Sequence, residues 1–562
     1  MTDHLQTGLT VLDSLDNAKF SWFHVKAIVI AGMGFFTDAY DLQVISMCTK
    51  ILGYIYYPGI GLPLAVDSST SAIALVGTLC GQILFGTLGD KLGRKAVYGI
   101  TLAMMIAFAF MQGLSFGRTR VAVFASLLTF RFILGMGIGG DYPLSAVIMS
   151  EYGSKRNRGS LIAAVFAMQG IGFIVANTVV IVISAGFSLM QQSPENADYV
   201  WRTALMFGAV PAALTMYARS KLPETARFTL NVKQDAAAVE ADMKVLFGEH
   251  DVSNYNKMKF KKAQWDSPTL IKIMGAGLSW FLLDISFYSQ SLFQSSIYTA
   301  IGWLPSVQVY WRELSSDYIV VNVYQTCTSA TPSNYFDLQL PFTLTGYQTC
   351  PLNLHGCGNG SIKPSCWITP VENTFLQARA QAIVSLASII PGYWATVFTI
   401  EYLGRWKIQM MGFFFMTAFM AFLAGYYDYW KTSNVPGFLV LYCLTFFFSN
   451  WGPNSTTFIY PAEIFPAAIR GTAHGICAAM GKTGAIVGGF GFQWAALDPT
   501  DPKNIAKYGS NYGIGIQKTL GILAAVNFLG LFTTLLLPEV PPGKSLEEIN
   551  NEIGDEEMMG EK

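Results

Sequence analysis

The chain has 562 residues, of which 52% are hydrophobic and 13% charged, with 36 basic and 36 acidic side chains in balance. Soluble domains carry about 25% charged residues, so this composition and a mean hydropathy of +0.39 exclude an ordinary soluble protein and indicate a polytopic membrane protein. The zero net charge leaves no global field for a nucleic-acid partner, and no early segment has the pattern of a cleaved signal peptide.

Apolar runs of about 20 residues, enough to cross a bilayer, fall near 24–50, 70–89, 97–116, 121–149, 160–187, 201–219, 270–301, 376–400, 408–427, 437–459, 468–493 and 517–537. They form two groups of six, over 1–218 and 269–562, separated by a polar linker over 219–268. Within the linker, Asp235 to Phe247 has the pattern of a short amphipathic helix. The fold class expected is an all-α membrane protein of two pseudo-symmetric six-helix bundles. The halves echo each other: GTLGDKLGRK (Gly86 to Lys95) corresponds to EYLGRWK (Glu401 to Lys407), and LPETARF (Leu222 to Phe228) to LPEVPPGKSLEE (Leu537 to Glu548). Repeats of this kind build transporters whose substrate binds near the midplane between repeats.

Polar residues inside these runs are expensive and therefore informative. In the first, Asp38 and Asp41 stand at i and i+3, a spacing that puts both carboxylates on one helix face, where each raises the other's pKa. The fourth, RFILGMGIGGDYPLSAVIMSE, carries Asp141 beside Tyr142, between Arg131 and Glu151. Gly135, Gly137, Gly139 and Gly140 allow close helix approach, and Pro143 is expected to break the helix. Arg131 either belongs to this glycine-spaced element or is a helix-end arginine snorkelling to the interface. The fifth run holds Gln169, and the seventh aligns Trp280, Asp284 and Tyr288 on one stripe. In the tenth, Gly452 and Pro453 break the helix between Asn450 and Asn454; in the eleventh, Lys482 lies among Gly481, Gly484 and Gly488. A buried lysine requires a carboxylate or an anionic ligand. Donors of this kind, with one ammonium and protonatable acids, suit a small tetrahedral oxyanion.

Short-loop Lys and Arg cluster on one side, Arg118 and Arg120 excepted, which places both termini in the cytoplasm. The segment 303–373 then lies outside. It contains Cys327, Cys350, Cys357 and Cys366, which suit two disulfides of open connectivity or, alternatively, a zinc site, and Asn359 in a glycosylation pattern.

GGDYPLSA followed by SE resembles the signature of the phosphate:proton symporters of the major facilitator superfamily, and the surrounding chain is similar to the plant plasma-membrane inorganic phosphate transporters. The GxLxDxxGRK stretch, with Asp90 and Arg94, resembles the superfamily's loop signature, and Glu401 with Arg405 is its echo. The resemblance implies a major facilitator fold and import of inorganic phosphate with protons across the plasma membrane, without cofactor or metal. It implies phosphate binding by Tyr142, Gln169, Trp280, Asp284, Tyr288, Asn454 and Lys482, and proton coupling by Asp38, Asp41 and Asp141. It also implies arsenate as an analogue. Trp451 stands where the family has Phe, and the 303–373 segment is longer than the family's short connection. Two rivals are a proton-linked sugar porter, to which PETAR and AEIFPAAIRG are similar, and a phosphate sensor with little flux.

Overall fold

The computed structural model describes residues 20–57, 61–188, 194–220, 225, 227, 229, 265–304, 308–314, 318–324, 370–497, 513–541 and 543–550. The first bundle comprises α1 (Trp22–Tyr56), α2 (Leu64–Leu92), α3 (Arg94–Gly113), α4 (Arg120–Tyr152), α5 (Arg158–Ser188) and a divided crossing made of α6 (Pro194–Phe207) and α7 (Ala209–Ser220). The second opens with α8 (Ser267–Leu292) and the short α9 (Gln294–Ala300), followed by α10 (Pro370–Val384), α11 (Ile390–Leu403), α12 (Arg405–Gly425) and α13 (Tyr427–Ser433). It ends with α14 (Val435–Asn450), α15 (Pro453–Glu463), α16 (Arg470–Ala495) and α17 (Ile516–Thr534), and α18 (Leu546–Ile549) lies beyond the last crossing. Eleven of the described crossings are long and apolar enough to span a bilayer, the eighth (Val371–Leu403) and tenth (Val435–Glu463) taken across their interruptions. The sixth completes the twelve in two pieces.

Prolines account for the interruptions. Pro211 cannot donate to the carbonyl of Phe207 and crowds it, so the sixth crossing divides at Gly208. Pro391 likewise deprives Ala387 of a donor. The ladder slips there into a π turn over Ser385–Ile389, with the Ile390 N–H bonded to the Ser385 carbonyl. Pro453 separates α14 from α15 as expected. The break expected at Pro143 does not occur, and α4 runs through it. Neighbouring helices hold that stretch on both sides through its glycines. A Cβ on Gly139 would lie 2.1 Å from the Thr78 carbonyl oxygen in α2, and one on Gly140 would lie 2.5 Å from the Thr101 methyl in α3.

The second bundle repeats this packing between α8 and α16, where a Cβ on Gly484 would meet the Phe281 carbonyl at 2.1 Å. The bundles meet where α2 faces α16 and where α5 faces α10 and α11. Between α9 and α10 the chain departs from all-α: β1 (Gln308–Leu314) and β2 (Tyr318–Tyr324) form an antiparallel hairpin with Trp311 opposite Val321. Its β-branched and aromatic content explains the local preference. The expected disulfide residues Cys327, Cys350, Cys357 and Cys366, the Asn359 acceptor and the 235–247 helix lie outside the described residues.

Candidate functional site

Lys482 is the one buried lysine among the described residues, and the centre of the molecule is arranged around it. Its Nζ donates to the Tyr288 hydroxyl and lies 3.4 Å from the Tyr142 hydroxyl and 3.9 Å from Asp284 Oδ2. It stands 4.9 Å and 4.4 Å from the Tyr142 and Tyr288 ring centroids, close enough for cation–π attraction. Tyr142 donates to Asp38 at 2.5 Å and accepts from Gln169 Nε2 at 3.0 Å. Tyr393 of α11 carries the chain of bonds across the bundle interface. It donates to Gln169 Oε1 at 2.8 Å and accepts from Asn454 Nδ2 at 2.9 Å. Trp280 packs against Tyr142 with centroids 6.5 Å apart and edge-on to His474 at 5.8 Å. Tyr142, Gln169, Trp280, Asp284, Tyr288, Asn454, Lys482 and Asp38 are thus brought together, drawn from both bundles. A small cavity touches Asp38, Gln169 and Tyr288 and extends to Gln43 and Ser291.

Asp38 and Asp41 are both buried on the inward side of α1 but bond to different partners. Residues three apart on a helix differ by about 60° around its axis, and this divergence sends the two carboxylates to different neighbours. Asp41 ion-pairs with Arg131 at 3.0 Å and accepts from Gln112 at 2.8 Å. Arg131 is fully buried, so the snorkelling alternative is overturned. Asp141 is engaged too: Arg219 binds it through two bonds of 2.6 and 3.0 Å while lying 3.6 Å over the Tyr98 ring. Sequence reasoning left Arg219 in the linker, whereas it closes α7 inside the bundle. Three acids therefore occupy three levels. Asp41 lies toward the hairpin end, Asp38 in the middle, and Asp141 toward the end where the basic short loops gather.

At that basic-loop end Asp90, Arg94, Glu151, Glu401 and Arg405 lock the bundles together. Asp90 accepts the backbone N–H groups of Gly471 at 3.1 Å and Thr472 at 2.6 Å. Glu151 pairs with Arg94 at 3.4 Å and Arg470 at 3.1 Å. Arg405 pairs with Glu401 and Glu463, each at 2.8 Å, and Glu401 accepts from the Ser160 N–H at 3.1 Å in the other bundle. Sequence reasoning missed Glu463 and Arg470. Their spacing repeats that of Glu151 and Arg158, and this was the available signal. The hairpin end is also closed, by Gln493 of α16 bonding Ser68 and, at 2.6 Å, Asp67 of α2.

Two bundles of six crossings with a buried polar centre at their interface define a major facilitator. The family model for sugar (and other) transporters matches residues 26–331 and 370–552. A probable inorganic phosphate transporter 1-3 of Oryza sativa subsp. japonica is 46% identical over 581 residues, covering 98% of both chains. Inorganic phosphate transporter 1-4 of Arabidopsis thaliana is 45% identical over 579 residues, covering 98% of this chain and 97% of its own. Among solved structures, the major facilitator proton:xylose symporter XylE bound to 6-bromo-6-deoxy-D-glucose superposes with a TM-score of 0.63 at 17% identity, over 94% of this chain and 98% of that one. The chain belongs to the inorganic phosphate transporter 1 family of the major facilitator superfamily.

Proposed function

We propose that this chain imports inorganic phosphate with protons across the plasma membrane, by alternating access of its two bundles to the central site. The observation that carries this reading is the Lys482 ammonium, fully buried between two phenols and facing Asp284. An ammonium in that position attracts an anion and has no use for a neutral sugar. The names of the relatives point the same way. Tyr142, Gln169, Trp280, Asp284, Tyr288, Asn454 and Lys482 are the residues proposed to hold phosphate. Tyr393 joins them through its bonds to Gln169 and Asn454.

Charge balance makes the coupling. With Asp38 and Asp284 both ionised beside one ammonium, the centre is net negative and repels the substrate. A proton on either acid neutralises it and frees Lys482 and Tyr142 for the anion. Asp41 and Asp141, each paired with an arginine, are proposed as the proton stations on either side. A carboxylate stranded at depth when proton and phosphate leave disfavours slippage.

We place the division between bundles at 219–268, with residues 1–218 and 269–562 as the moving halves. The basic loops, and with them both termini, are assigned to the cytoplasm, and the 303–373 insert to the outside, oxidised and glycosylated. The test is uptake of radiolabelled phosphate into proteoliposomes under an imposed pH gradient, with arsenate as competitor. Acid-driven, arsenate-sensitive accumulation is expected. Binding without flux would favour a sensor, and sugar uptake in place of phosphate uptake would defeat the reading.

A further inference from the structure

One face of α10 carries amides at every fourth position, Asn373, Gln377 and Gln381, all buried. This spacing stacks them along one side of the helix. The row descends from the hairpin end toward the central site, on the second bundle but against the first. Asn373 Nδ2 donates to the Tyr54 hydroxyl of α1 at 3.3 Å, and Gln377 Nε2 lies 3.4 Å from Asn373 Oδ1. At the inner end Gln43 of α1 donates both to Gln381 Oε1 at 2.9 Å and to Asn177 Oδ1 of α5 at 3.0 Å. Gln43 also lines the small cavity that reaches Asp38, Gln169 and Tyr288.

Three polar atoms in this cluster have no hydrogen-bond partner among the described residues, namely Gln377 Oε1, Gln381 Nε2 and Asn177 Nδ2. Unpartnered buried amide atoms are uncommon in native interiors. Here they lie on α5 and α10, where the two bundles face each other. An apolar layer would close this interface as well, with no such loss.

Resting on the function proposed above, we propose that Gln43, Asn177 and Gln381 form a second, outer binding step for a partly protonated tetrahedral oxyanion, reached along the Gln377 and Asn373 row. Amide N–H groups donate to its unprotonated oxygens, and amide carbonyls accept from its P–OH groups. The row has no fixed charge, so it holds the anion weakly and passes it inward to Lys482; an arginine there would trap it. The Gln43 to Gln381 bond spans the two bundles, so it breaks when the hairpin end opens. Breaking it releases one donor from Gln43 and one acceptor from Gln381 at the moment the anion arrives.

The test uses the full chain in vesicles, with single substitutions Gln381→Cys and Gln377→Cys and the parent chain as background for its native thiols. A membrane-impermeant thiol reagent added from the hairpin side is expected to modify both. Saturating inorganic phosphate should slow that modification about tenfold. A complementary variant, Gln381→Leu, should lower the initial uptake rate about tenfold at subsaturating phosphate while equilibrium phosphate binding stays within about twofold of the parent. Modification from the opposite side only, or rates indifferent to phosphate in vesicles that take it up, would overturn the proposal. So would an equal loss of binding and uptake in Gln381→Leu, which would make Gln381 part of the central site. A parent chain that takes up no phosphate would instead overturn the function itself.

Discussion

At the scale of single residues, the meaning of each buried charge depends on its partner. Lys482 offers the central site its one ammonium among the described residues, and its bonds to a ligand would be charge-assisted, worth roughly 1.5–3 kcal/mol each. Lys482→Ala is therefore expected to weaken phosphate binding at least about tenfold. Calorimetric titration of the purified variant reads this, and a parent-like affinity would remove Lys482 from the site. Asp41 behaves differently because Arg131 is its counter-ion at 3.0 Å in a fully buried setting. Asp41→Asn strands that guanidinium and should cost about 3–5 kcal/mol of stability. Adding Arg131→Met should restore most of the loss, since an apolar pair of similar volume replaces a buried ion pair at little cost. Thermal melting of the two variants distinguishes this from a purely proton-carrying role, which would leave the melt unchanged.

Elements meet through their glycines, and the clearances are specific enough to rank substitutions. A Cβ on Gly139 would stand 2.1 Å from a backbone oxygen of α2, an atom that cannot swing aside. Gly139→Ala should therefore force α2 and α4 apart at a cost of at least about 1–3 kcal/mol. Gly99 of α3 meets nothing within 4 Å, so Gly99→Ala should gain up to about 1 kcal/mol from helix propensity. Melting temperatures moving in opposite directions for these two alanines would bear out the packing, and a parallel shift would contradict it. The interrupted crossings follow the same local logic, because a proline lacks the donor that its fourth preceding carbonyl needs.

For the whole molecule, the closed basic-loop end is a latch between halves. Asp90 receives two backbone N–H groups from the start of α16, so Asp90→Asn should weaken the latch and raise the population open at that end. Faster amide exchange at Gly471 and Thr472 is the direct measurement, with reduced uphill uptake as its consequence. Unchanged exchange would show that the other ion pairs hold the latch alone. Beyond the last crossing, α18 adds a strap: Glu547 pairs with Arg227 at 3.0 Å. Burial disfavours the charged Glu547, but Arg227, the local backbone and Arg158 together outweigh it and hold its carboxyl below the usual range. A lowered folded pKa gives stability that is present above the unfolded value and lost only as pH falls through the folded one. The strap should thus hold unchanged between about pH 5 and 8. A melting profile of the parent compared with Glu547→Gln should show a constant difference across that range, narrowing only under stronger acid.

Hydropathy and repeat spacing are properties of short windows, so the crossings, the halved architecture and the polar residues inside the apolar runs were legible in the sequence, while the gathering of those residues around Lys482 was only what the resemblance to phosphate symporters implied. Asp90, Arg94, Glu401 and Arg405 were marked by the loop repeat, and Glu151 by its place at the end of the fourth run. Which acid answers which base was decided only by the tertiary structure. Arg131 is 90 positions from Asp41, and Arg219 is 78 from Asp141. Tyr393, the bridge between Gln169 and Asn454, stands in an apolar run with no polar neighbour to announce it. The Pro143 helix stayed whole for a related reason, since α2 and α3 press on it from both sides. A helix sequence states that a polar group is buried and at what depth. Its direction is settled by whichever neighbouring helix can satisfy it, because an unpaired charge in that interior is too costly to keep.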